Sequence, residues 1–200
     1  EARYYHLILL AENNEGYENL TKIVSRGFVD GFYYKPRVDF ETLREFSKGI
    51  IASSACLAGE VARNLAVNRY EDAKEAALRY RDIFGADNFF LELQDHGLGV
   101  QKAVNQQLIQ LSQDTGIPLI ATNDIHYTNP EDWEAHDLLL CLQTGKKASD
   151  EDRMRYEGGQ YYLKSEDEMR SLFAAVPEAL ENTAKIAARC EVEIRFHELK

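Results

Sequence analysis

Four short runs of apolar residues punctuate the chain, and stretches of helical period separate them. The runs are Tyr4 to Leu10, Ile50 to Ala52, Phe89 to Leu93 and Pro118 to Thr122; each has the length and β-branched or aromatic content of a buried strand. Between them, Tyr17, Leu20, Ile23 and Val24 recur at helical spacing. Asp39 precedes Phe40, Leu43 and Phe46 as a helix cap, with Gly49 as the stop. Val61 to Leu65 and the alanine-rich Tyr70 to Phe84 predict two further helices, the second ended by Gly85. Val104, Leu108 and Leu111 mark a helix over Val100 to Gln113 that Gly116 closes, and Asn129 with Pro130 starts the next. This alternation predicts an α/β fold of right-handed parallel units, in an open sheet or a barrel. No repeat of fixed period is visible.

After Lys146 the pattern changes. Residues 146 to 159 are polar and charged, which predicts a surface loop or hairpin leading into a strand at Tyr161, Tyr162 and Leu163. Ser165 with Glu168 forms a capping box, and Pro177 opens a last helix through Ile186 to Cys190. These segments read as an appendage to the sheet core.

Composition narrows the function. At 200 residues, 44% hydrophobic and 28% charged, the chain is long enough for a sizeable core and too balanced for a disordered tail. The net charge of -11 argues against coating nucleic acid by charge alone, leaving only a local basic groove. No apolar run approaches a membrane span. Three widely spaced cysteines, Cys56, Cys141 and Cys190, and no signal peptide predict a reducing, cytoplasmic setting. Because the first residue is Glu1 rather than methionine, the chain reads as a piece of something longer. Phosphate-binding glycine loops, a serine nucleophile elbow and CxxC pairs are all missing from the sequence, which disfavours nucleotide-triphosphate binding and serine hydrolysis.

In parallel α/β folds, chemistry gathers beyond the carboxyl ends of the strands. There the sequence sets Cys56 and Glu60 after the second run, Asp95 and His96 after the third, and Asp124 and His126 after the fourth. Thiolate, imidazole and carboxylate together suit Zn, Mn or Fe better than Ca or Mg alone. Asp124 and His126, two apart on an extended segment, point the same way. Taken singly, each of these residues is as well explained as a cap, a turn or a core residue, His6 included. Lys35 and Arg37, then Lys146, Lys147, Arg153 and Arg155, form local basic clusters that suit either phosphate or solvent. Trp133, Tyr127 and Tyr161 suit base stacking or helix packing.

At these residues the sequence becomes recognisable. YYHLILLAENNEGYENL, GIIASSACLAGEV, FFLELQDHG, IPLIATNDIHY, AHDLLLCLQTGKK and RYEGGQYYLKSEDEM resemble, in that order, the second part of the PHP (polymerase and histidinol phosphatase) domain of bacterial DNA polymerase III alpha subunits. The resemblance implies a distorted, partial (β/α)7 barrel over residues 1–145. It reads residues 146–200 as loop, hairpin and helices leading toward a polymerase palm. It implies a divalent-metal site, Zn or Mn in first place and Mg or Fe after them, with His6, Cys56, Asp124 and His126 as ligands and Asp124 and His126 as the catalytic pair. The chemistry implied is metal-assisted phosphodiester hydrolysis, a 3′ to 5′ exonuclease on DNA. The implied partners are DNA and other polymerase III subunits such as a proofreading exonuclease, with no membrane. The family's opening H-x-H motif and its upstream acidic and histidine ligands have no counterpart before Glu1. This departure leaves a second expectation, a scaffold that braces the polymerase around a vestigial metal site. An interrupted barrel also predicts open strand edges and association between copies.

Overall fold

Each of the four apolar runs contributes a strand to one mixed sheet. A computed structural model describes residues 4–197, with β1 at Ile8–Ala11, β2 at Ile50–Ser53, β3 at Phe89–Leu93 and β4 at Leu119–Ala121, ordered β1-β2-β3-β4. The helices are α1 (Asn14–Val29), α2 (Phe40–Glu45), α3 (Glu60–Ala66), α4 (Tyr70–Phe84), α5 (Gly99–Thr115), α6 (Trp133–Thr144), α7 (Glu166–Leu172) and α8 (Pro177–Arg189).

Local chemistry sets several helix ends. The Asp39 carboxylate accepts the Thr42 amide of α2 at 2.8 Å, and that bond holds its pKa below the usual carboxylate value. At the start of α7, the Glu168 carboxylate accepts the Ser165 amide at 2.8 Å, and Ser165 Oγ accepts the Glu168 amide in return. Gly116 closes α5 in the left-handed region, and Pro177 opens α8. The helix after β1 starts earlier than the periodicity predicts, because the Asn13 side chain accepts the Gly16 amide and nucleates the turn.

The alternation of side chains along the strands divides the sheet into two faces. Ile50, Ala52, Phe89, Leu91, Leu93 and Leu119 point into the main core against α3, α4 and α5, where Leu65, Ala77 and Leu111 are also fully covered. At about 1.5–3 kcal/mol for each large side chain removed from water, this face carries most of the fold's stability. The opposite face is half covered. Ile51, Phe90 and Ile120 pack against Ile186 of α8, and beside them a cavity of about 540 Å³ is lined by Ile8, Leu10, Ser53, Glu92 and Thr122. Glu92 is buried there, and its carboxylate accepts hydrogen bonds from Ser53, Thr122 and Gln94, so its lone pairs are answered.

Two sequence expectations are corrected. β2, β3 and β4 are parallel, but β1 runs antiparallel to β2, with Ile8 opposite Ser53 and Ala11 opposite Ile50. Strand direction follows from where α1 and α2 return the chain, which no local pattern encodes. Tyr161 to Leu163 form no strand; backbone pairing with the 126–128 segment stops at one isolated bridge, Tyr162 with Tyr127, where the Tyr161 carbonyl accepts the amides of His126 and Tyr127. The barrel implied by the resemblance reduces, among the described residues, to this open four-stranded sheet.

The outer edge of β4 is covered by α8. Asn182 donates to the Leu119 carbonyl at 2.9 Å and Thr183 to the Ala121 carbonyl at 3.0 Å, both on the side turned away from β3. The expectation of an open edge does not hold along these carbonyls.

Candidate functional site

The carboxyl ends of β2, β3 and β4 do form one rim, and the predicted residues stand on it as two pairs. The first pair is built by a tight turn. After β2 the chain passes through Ala55 in the left-handed region and returns so that the His6 amide donates to the Ala58 carbonyl at 3.1 Å. Gly59 makes that return possible. A Cβ there would lie 2.1 Å from the Ser54 carbonyl oxygen, inside any tolerable contact. Cys56 Sγ thereby comes to 3.5 Å from His6 Nδ1. His6 is exposed and Cys56 half-buried, so both remain open to solvent. Gly59→Ala is expected to destabilise the fold by about 1–3 kcal/mol in urea unfolding, because the turn must open to admit the methyl group. Thiol alkylation of Cys56 would report whether the thiol–imidazole contact is lost with it.

The second pair is Asp124 and His126, with Nε2 3.2 Å from the Asp124 carboxylate. Its backbone is fixed from below by His96. That ring is buried, stacks on Tyr161 with centroids 4.2 Å apart, accepts the Asp124 amide at Nε2 at 3.3 Å and shares a hydrogen bond with the Gln101 side chain at Nδ1. Burial pushes its pKa down, so His96 stays neutral at pH 7 and supports the loop. Asp95 accepts the Gly97 amide at 2.8 Å as an ordinary turn residue. Glu60 faces away from the rim. It binds Arg79 at 2.6 Å and Tyr80 at 2.9 Å, tying α3 to α4.

Beside the second pair lies Tyr156, its ring centroid 4.4 Å from that of His126. Its pKa is raised, first by burial and then by the electrostatic influence of Asp124 and Cys56. His126, His136, Tyr156 and Tyr161 form a cluster of ring contacts with centroids 4.4 to 5.7 Å apart. Sequence reasoning missed His136 and Tyr156. His136 lies inside α6 with no local signal, and only the folding of α6 onto the rim brings it to His126.

The donor types fit a borderline-soft divalent ion, since imidazole, thiolate and carboxylate are all present. Their arrangement supplies two ligands at each point. Among the described residues, no group of three or more His, Cys, Asp or Glu side chains is spaced to hold one ion. The three cysteines are free, and no described helix is long and apolar enough to cross a membrane.

Comparison with known proteins gives these pairs a context. The PHP domain family matches residues 1–96. The chain is 49% identical over 187 residues to DNA polymerase III subunit alpha of Borreliella burgdorferi, a match covering 94% of this chain and 16% of that protein. The same subunit of Treponema pallidum is 48% identical over 192 residues, and that of Thermus aquaticus 40% over 194, each covering 96% of this chain and 16% of the relative. The chain therefore spans less than a fifth of the length of the curated relatives it matches.

Proposed function

Since the chain is homologous to a PHP-bearing segment of DNA polymerase III subunit alpha, we propose that it serves in DNA replication as that segment of the polymerase. We further propose that its rim contributes ligands to a divalent-metal site for phosphodiester hydrolysis of DNA. The observation that carries the second part is the pairing itself. Cys56 stands 3.5 Å from His6 and Asp124 3.2 Å from His126, both at the carboxyl ends of the parallel strands, with the ring of Tyr156 beside His126. A bound Zn or Mn ion would acidify water and neutralise charge on the phosphate. His6, Cys56, Asp124 and His126 would hold such ions together with ligands from the rest of the polymerase.

The chain's own residues would supply position and proton control. Asp124 holds the imidazole of His126 in one orientation, His96 keeps the Asp124 backbone in register, and Tyr161 stacks beneath it. DNA, the proofreading exonuclease subunit and other polymerase III subunits are the partners this reading brings. A second reading, a scaffold with a vestigial site, is favoured by one observation: two ligands at each point and, among the described residues, no group of three.

Metal content decides between them. The polymerase subunit proposed to contain this segment is expected to hold Zn or Mn by elemental analysis, and a Cys56→Ala, Asp124→Asn double variant to lose at least part of it. Equal metal in both proteins, or none in either, would overturn the ligand assignment and leave the scaffold reading.

A further inference from the structure

Beside the rim, between the start of α6 and the segment 153–159, lies a cleft of about 530 Å³ lined by none of the four predicted ligands. Its lining is aromatic with balanced charges. The indole of Trp133 is 47% exposed and forms one wall. Arg153, whose side chain is only 4% exposed, spends both terminal nitrogens on the Asp137 carboxylate at 2.6 Å, while its buried Nε has no hydrogen-bond partner among the described residues. Arg155 is exposed, with one nitrogen on the Asp150 carbonyl at 3.1 Å. Gly158 and Gly159 have φ of 88° and 62°, so the floor is bare backbone in a conformation that side chains disfavour. Tyr156 is shared: it lines the cleft, and its ring lies 4.4 Å from that of His126.

We propose that this cleft holds one unpaired nucleotide of single-stranded DNA, its base stacked on Trp133 and its phosphate on Arg155, delivering the adjoining linkage past Tyr156 to the Asp124–His126 pair. The inference rests on the reading of the chain as a DNA polymerase segment. Charge bookkeeping favours an end nucleotide over a duplex. Asp137 is neutralised by Arg153, and Glu157 offsets Arg155, so the cleft is nearly neutral within a chain of net charge -11. Duplex binding depends on many phosphate contacts, whereas a single strand gains affinity from stacking on an exposed aromatic face.

Trp133 is the only tryptophan in the chain, so its fluorescence reports the cleft directly. Titration with a short oligothymidylate, without added metal, is expected to quench it saturably. Arg155→Ala should weaken that binding about tenfold, while Lys74→Ala, on α4 away from the cleft, should leave it unchanged. Circular dichroism of each variant checks the fold. No quench, a quench unaltered by Arg155→Ala, or an equal response to a blunt duplex or to inorganic phosphate would overturn the proposal. The readout needs neither metal nor hydrolysis, so its failure is distinct from failure of the metal-site reading, which elemental analysis tests.

Discussion

Asp124→Asn is expected to lower metal-dependent hydrolysis of single-stranded DNA by about a hundredfold or more, measured in the polymerase subunit proposed to contain this segment. The same substitution should change urea-unfolding stability by no more than about 0.5 kcal/mol. The asymmetry follows from exposure. The Asp124 side chain is 46% exposed and pairs with His126, itself 29% exposed, and a polar contact so open to water contributes little to folding. Its carboxylate charge, however, is what a metal ion and the Tyr156 phenol feel, and the amide has the same shape without that charge. A loss of activity matched by an equal loss of stability would mean that Asp124 is structural. Unchanged activity would remove it from the site.

The reverse pattern is expected at Phe89. Its ring is fully buried between the sheet and α4, stacked on Tyr80 with centroids 5.4 Å apart. Phe89→Ala should cost about 3–5 kcal/mol, from lost burial and a residual cavity that close-packed neighbours cannot fill. That is a large part of the roughly 5–15 kcal/mol by which a domain of this size is stable. The damage should spread, because Tyr80 donates to Glu60 and Glu60 binds Arg79, so loosening one ring loosens the α3–α4 clasp. Urea titration followed by circular dichroism gives the figure, and a cost below about 1 kcal/mol would show that the site collapses around the smaller side chain.

How far these residues could be read in advance depended on whether their determinants are local. Asp39, Ser165 with Glu168, Gly116 and Pro177 act on atoms within a few positions, so the helix ends they set were legible. The strands were legible as apolar runs, and the rim followed from their carboxyl ends. The antiparallel course of β1 was not, since it depends on the return of the chain through two helices. Tyr161 looked like a strand residue because aromatic neighbours suit strands; its carbonyl instead holds the Asp124–His126 loop. Glu60 was considered with the rim because it follows Cys56, yet helix geometry turns it toward Arg79, a partner 19 residues on. The division of the four predicted ligands into two pairs is likewise a matter of distance in space. Spacing along the chain revealed the D-x-H pair and could not reveal how far it stands from Cys56.

The clasp of Asn182 and Thr183 over the last strand has a practical meaning for anyone who would shorten this chain. A piece ending before Pro177 keeps all four strands but strips the cover from the Leu119 and Ala121 carbonyls, leaving a template onto which a neighbouring molecule can add its own strand. The final helix therefore acts as a terminator of sheet growth, and a shortened chain that keeps it keeps that stop.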